Sequence, residues 1–162
     1  MTVTDVEKNA EALTMKITSE YDAPVERCWQ LWADPRQLER WWGPPTYPAT
    51  FVEHELAPGC FATYFMTGPD GDRSHGWWRI VSVEAPRSLE LEDGFGDEPG
   101  NAGGMPMTRM SVHLTERPDG GTRMTIESTF PSREAMEQLI SMGMDQGMQE
   151  ALGQIEAVLA GT

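Results

Sequence analysis

"SREAMEQLISMGMDQGMQEALGQIEAVLA", residues 132–160, is where the apolar period of the chain changes. Met136, Leu139, Ile140, Met144, Met148, Ala151, Leu152, Ile155 and Leu159 recur there at helical spacing. Ser132, followed by acids in the first turns, reads as an N-cap. A helix over the whole stretch would be about 40 Å long at a rise of about 1.5 Å per residue, enough to lie across an entire sheet. Gly143, Gly147 and Gly153 each cost such a helix about 1 kcal/mol relative to alanine, so a break near Gly143 is tolerable. Gly143, Gly147 and Ala151 share one stripe, which lets the backbone approach a sheet or leaves space beneath it.

Upstream the period is two. "LTMKITSEYDAP" sets Leu13, Met15, Ile17 and Ser19 against polar neighbours, a strand with one wet face. Strand-like runs follow at 50–56, 61–66, 76–83, 88–92, 108–116 and 121–130, joined by the turn sequences "APG", "GPDGD", "EAPR" and "RPDGG". The last two runs alternate cleanly across "PDGG" as a hairpin. "DGFGDEPGNAGGMP" is a polar, Gly-rich loop, long for a hairpin connection and therefore mobile or functional. Strands closed by one long helix predict an α+β domain with the helix on one sheet face. A curved antiparallel sheet wrapped on one helix is hard to fill at its middle, so a cavity is expected there.

Between the first strand and the others stands "RCWQLWADPRQLERWWGPP", residues 27–45, with four of the chain's six tryptophans. Val25, Cys28, Trp29 and Trp32 form one helical stripe; Pro35 ends that helix and can open a second with Leu38, Trp41 and Trp42 on one side. Trp29 and Trp32 are expected in the core. Trp41 and Trp42 precede a rigid Gly-Pro-Pro, and at least one belongs at a cavity mouth.

Composition bounds the function. The 162 residues suit a single domain, with 1–11 as a loose N-terminal tail. Twenty-six acids against 12 bases give a formal charge of −14, which repels nucleic acid and anionic membrane surfaces. No apolar run approaches the roughly 20 residues of a membrane span, and the start has neither the basic flank nor the apolar run of a secretion signal. Cys28 and Cys60 are widely separated and read as free buried thiols, consistent with a cytoplasmic location.

Several stretches carry a family resemblance. "VERCWQLWADPRQLERWWGP", "ELAPGCFATYFMTGPDGDRSHGWWRIVSVEAPRSLELE" and "GMDQGMQEALGQIEAVLA" resemble the START-like (SRPBCC) superfamily, in the branch named after the activator of the heat-shock-protein ATPase. The resemblance runs from about residue 13 to residue 160. Cys60 departs from it at the second position of a Gly-Gly turn, and Met148 stands where the family's helix often has tryptophan. The resemblance implies a helix-grip fold, in which a curved antiparallel sheet grips the C-terminal helix around a hydrophobic pocket. It does not fix an activity, because the superfamily includes lipid and hormone binders, polyketide cyclases and chaperone partners.

Catalytic motifs are thin. His75 and His113 read as solvated, whereas His54 shares a phase with Val52 and Leu56 and is either a satisfied core histidine or a ligand-facing group. "EHE" at 53–55 places its histidine opposite both acids, so no metal site is implied, and neither a nucleophile with its base nor a phosphate loop is visible. No cofactor and no catalytic residue is assigned. The expected function is binding of a small apolar or aromatic molecule between sheet and helix, lined by Trp42, Val52, His54, Tyr64, Trp78, Met110, Met144 and Met148. The alternatives are a chaperone-associated interaction module, and a cyclase- or dehydratase-like enzyme using His54 and Tyr64 in the same cavity. A homodimer is compatible with all three.

Overall fold

The computed structural model describes residues 3–161. Eight strands form one antiparallel sheet in the order β1-β2-β8-β7-β6-β5-β4-β3. They are β1 (Val3–Asn9), β2 (Thr14–Tyr21), β3 (Ala49–His54), β4 (Phe61–Thr67), β5 (Arg73–Glu84), β6 (Ser88–Phe95), β7 (Thr108–Glu116) and β8 (Thr122–Thr129). Between β2 and β3 lie α1 (Val25–Ala33) and α2 (Pro35–Leu38); after β8 come α3 (Arg133–Ser141), α4 (Met144–Leu152) and α5 (Ile155–Ala160). This is the helix-grip architecture.

Alternation decides which face is filled. Met15, Ile17, Ser19 and Tyr21 of β2 are buried, as are Met110, Val112 and Leu114 of β7 and Met124 and Ile126 of β8. Leu139, Ala151, Leu152 and Ile155 from the C-terminal helices join them in one core. Ser132 caps α3, its hydroxyl accepting from the Ala135 N–H at 3.0 Å. The expected break falls at Gly143, whose φ of +92° is a left-handed conformation that glycine adopts without steric cost. A second interruption at Gly153 and Gln154 separates α4 from α5. The Gln154 side chain there donates to the carbonyls of Trp41 and Gly43, tying the helix to the tryptophan-rich turn.

The N-terminal segment departs from expectation. Residues 1–11 read as a loose tail, yet Val3–Asn9 pairs with β2 as an edge strand. Its sequence lacks alternation because both faces are largely exposed; backbone pairing with β2 holds it, helped by half-buried Val3 and Val6 and by the Lys8–Asp145 ion pair to α4.

The tryptophan-rich stretch supplies the other half of the core. Asp34 caps α2 by accepting from the Arg36 N–H, with Pro35 at the first helical position. The Trp32 ring is fully buried, 4.9 Å from Trp41 and 6.0 Å from both Trp42 and Trp78, centroid to centroid. Its indole N–H donates to the Met124 sulfur at 3.3 Å. Trp29 is also buried. Trp32→Ala should lower the unfolding free energy by about 3–5 kcal/mol in urea titration, the usual range for emptying the site of a buried large aromatic; a loss under about 1 kcal/mol would show that the cluster carries little of the stability.

Candidate functional site

Between the sheet and α3–α4 lies a cavity of about 240 Å³. Its roof is Leu139, Met142, Met144 and Met148 with Gly143 and Gly147; its floor is Tyr64, Met66, Asp93, Phe95 and Thr108, and Trp42 and Pro44 close one side. Phe95 and Met142 are exposed at the mouth, Met142 by 58%. A larger hollow of about 530 Å³ near α5 is lined by Glu20, Asp22, Arg117 and Glu156 among others, and its charged, polar wall lacks the apolar enclosure of a ligand site.

The residues expected to line the cavity divide. Trp42, Tyr64, Met144 and Met148 do line it. Val52 does not: it is 67% exposed, because the buried phase of β3 is that of Ala49 and Phe51 and Val52 alternates with them. A register shift between Phe51 and Glu53 then changes the phase, so that His54 shares the inner side with Phe51 and not the outer side with Val52. His54 is a half-buried, satisfied histidine: its Nε2–H donates to the Trp32 carbonyl at 2.9 Å, and burial lowers its pKa, which favours the neutral ring. Trp78 and Met110 are fully buried but lie outside the cavity wall. Trp78 packs behind Trp42 at 4.9 Å between ring centroids, and Met110 fills the sheet's middle. Cys28 is buried and Cys60 half-buried, both as free thiols.

Asp93 is the residue that sequence reasoning passed over. The strand expected at 88–92 continues to Phe95, so Asp93 follows the buried Leu89 and Leu91 onto the inner face, where it is half-buried at the cavity. An acid two residues beyond two core leucines was the available signal. Tyr64 reaches it from two strands away because Gly76 stands opposite Tyr64 on β5. A Cβ on Gly76 would lie 2.5 Å from the Tyr64 ring, so only glycine lets the phenol lie across β5. The Tyr64 hydroxyl then donates to Asp93 Oδ1 at 2.9 Å. The Trp42 indole N–H lies near the phenol without a well-formed hydrogen bond.

Electrostatics follow from enclosure. Burial pushes the Asp93 carboxyl up to about 7, against a smaller lowering by the Tyr64 hydrogen bond. Burial, followed by the Asp93 charge, holds the Tyr64 phenol well above its ordinary range, so it remains a donor. The cavity thus has a soft apolar roof and one polar corner, a phenol and a carboxyl that changes charge near neutrality. Among the described residues no group of His, Cys, Asp or Glu is arranged to hold a metal.

Sheet, gripped helix and the open cavity between them define a START-like protein. Residues 22–160 match the family model described as Activator of Hsp90 ATPase homolog 1-like protein, and the chain belongs to that family. A protein of Arthrobacter aurescens known from a solution structure is 52% identical, with 99% of this chain and 94% of that chain covered and a TM-score of 0.93. A crystallised protein of Mycobacterium smegmatis is 48% identical over 99% of this chain and 98% of that one, with a TM-score of 0.89. One from Staphylococcus epidermidis shares 26% identity over 97% and 94%, with a TM-score of 0.82. No functionally curated protein matches. No helix among the described residues is long and apolar enough to cross a membrane.

The raised carboxyl makes stability depend on pH. A folded pKa above the unfolded value of 3.8 means that the fold favours the neutral acid. That contribution is complete below the unfolded value and is lost as pH rises through about 7. Asp93→Asn should therefore be more stable than the parent by about 1–3 kcal/mol at about pH 8, less than the full linkage because the group keeps some solvent access. Urea titrations across the pH range should show the advantage shrinking towards about pH 5; a constant difference would mean that Asp93 is not the titrating group.

Proposed function

We propose that the protein binds a small, largely apolar molecule of one or two rings, with a single polar head, in the cavity between the sheet and α3–α4. The observation that carries this reading is the cavity itself, apolar over most of its wall with its hydrogen-bonding groups gathered at the Tyr64–Asp93 corner. Such a distribution holds a body by burial and orients it by one end. Its volume of about 240 Å³ compares with the engineered cavity of about 150 Å³ that accepts benzene. Met144 and Met148 supply an adaptable roof.

A second reading has its own support. A carboxyl poised near neutrality beside a phenol is an acid–base pair suited to proton transfer, as a cyclase- or dehydratase-like enzyme would require. Asp93 replaces His54 as the candidate group for that chemistry, since His54 is occupied by the Trp32 carbonyl. A chaperone partnership rests on the family description alone.

Gly147 provides the test. It lies on α4 over the cavity, and a Cβ there would meet no atom within 4 Å. Gly147→Leu should fill the space while removing the helix penalty of glycine, about 1 kcal/mol. A neutral naphthalene-based fluorescent probe should bind the parent and lose about tenfold or more in affinity in the variant, with Tm unchanged or higher. Absence of binding to the parent, or equal binding by both, would overturn the cavity reading.

A further inference from the structure

We propose that the cavity selects a lipophilic amine, its body against Leu139, Met144 and Met148 and its protonated amino head on the second carboxylate oxygen of Asp93. The proposal rests on the ligand-binding reading above and deepens it. Asp93 is an acid on the inner face of the sheet, in the wall of a largely apolar cavity, with no counter-ion among the described residues. Among the described residues its hydrogen-bond donor is the Tyr64 hydroxyl, on Oδ1, and no lysine, arginine or histidine lines the cavity. Enclosing a carboxylate without a cation is costly. A ligand ammonium would supply the missing charge and gain a charge-assisted hydrogen bond in a site of low polarity.

The surroundings favour the same head group. The rings of Trp42 and Tyr64 line the same cavity as the carboxyl, and aromatic faces attract a desolvated cation. The formal charge of −14 enriches cations around the whole molecule. An anionic head would meet Asp93 with like charge, and a neutral hydroxyl would gain only an ordinary hydrogen bond. Burial raises the Asp93 carboxyl to about 7, so the site should discriminate most strongly above neutrality. Tyr64 on β4 and Asp93 on β6 are the titratable groups facing the head; the contributions of the α2–β3 turn, β7, α3 and α4 to the cavity wall do not titrate.

Three probes with a common body test this: naphthalenemethylamine, naphthalenemethanol and naphthaleneacetate, titrated calorimetrically into the full chain. At about pH 8 the amine should bind about tenfold or more tighter than the alcohol, and the acetate weakest. The ratio of amine to alcohol affinity should fall towards unity near about pH 5, where Asp93 holds a proton. Asp93→Asn should bind both equally. Tyr64→Phe keeps the carboxylate and should keep the preference, with its pH midpoint moved upward because a hydrogen bond to the ionised form is lost; this variant and the parent's pH series carry the test if Asp93→Asn fails to fold. Alcohol binding without amine preference, or a preference that survives in Asp93→Asn, overturns the proposal and leaves the cavity reading standing. Failure of all three probes to bind overturns both.

Discussion

Segments far apart in sequence meet at the Trp32 indole, and a ring of that size admits few arrangements once it is enclosed. Trp32 on α1 packs against Trp41 and Trp42 from the turn after α2 and against Trp78 on β5. The same residue's carbonyl accepts from His54 at the end of β3. The Trp41 indole N–H donates to the Leu31 carbonyl at 2.9 Å, closing the α1–α2 corner on itself. The corner therefore joins the short helices to the β3–β5 end of the sheet through interlocked edges of aromatic rings, a mode of contact sensitive to small displacements. Trp42 has one face in that lock and lines the cavity with another. The cavity wall inherits its position from the core.

The fold was legible because its signals are long. Period two in β2, β7 and β8, and helical spacing over 132–160, each run for many residues and cannot be mimicked by chance turns. β1 was not legible, because an edge strand with little burial leaves no alternation to read. The site was legible only where side-chain type and position coincided, as at Met144, Met148, Tyr64 and Trp42. At β3 the buried phase is that of Ala49 and Phe51, so the inference for Val52 failed, whereas His54 returns to the inner side across the register shift as the satisfied histidine that one reading expected. Asp93 was lost for a different reason: treating an acid as the end of an apolar strand is sound for most strands, and wrong where the fold accepts a half-buried carboxyl at a cavity.

That acceptance separates structural economy from function. Leu, Val or Met at position 93 would extend the pattern of Leu89 and Leu91 and join the same apolar floor, while Asp93 destabilises the fold at neutral pH once ionised. Gly76 has a similar character, since glycine in a strand interior forgoes packing and yet allows the Tyr64 phenol to reach the carboxyl. Gly147 does the same in a helix, where alanine would propagate the turn better and the missing side chain leaves space above the floor. Each of the three residues is a poor choice for stability at its position, and each borders or shapes the same corner. Independent local costs that converge on one cavity support the ligand-binding reading proposed for it.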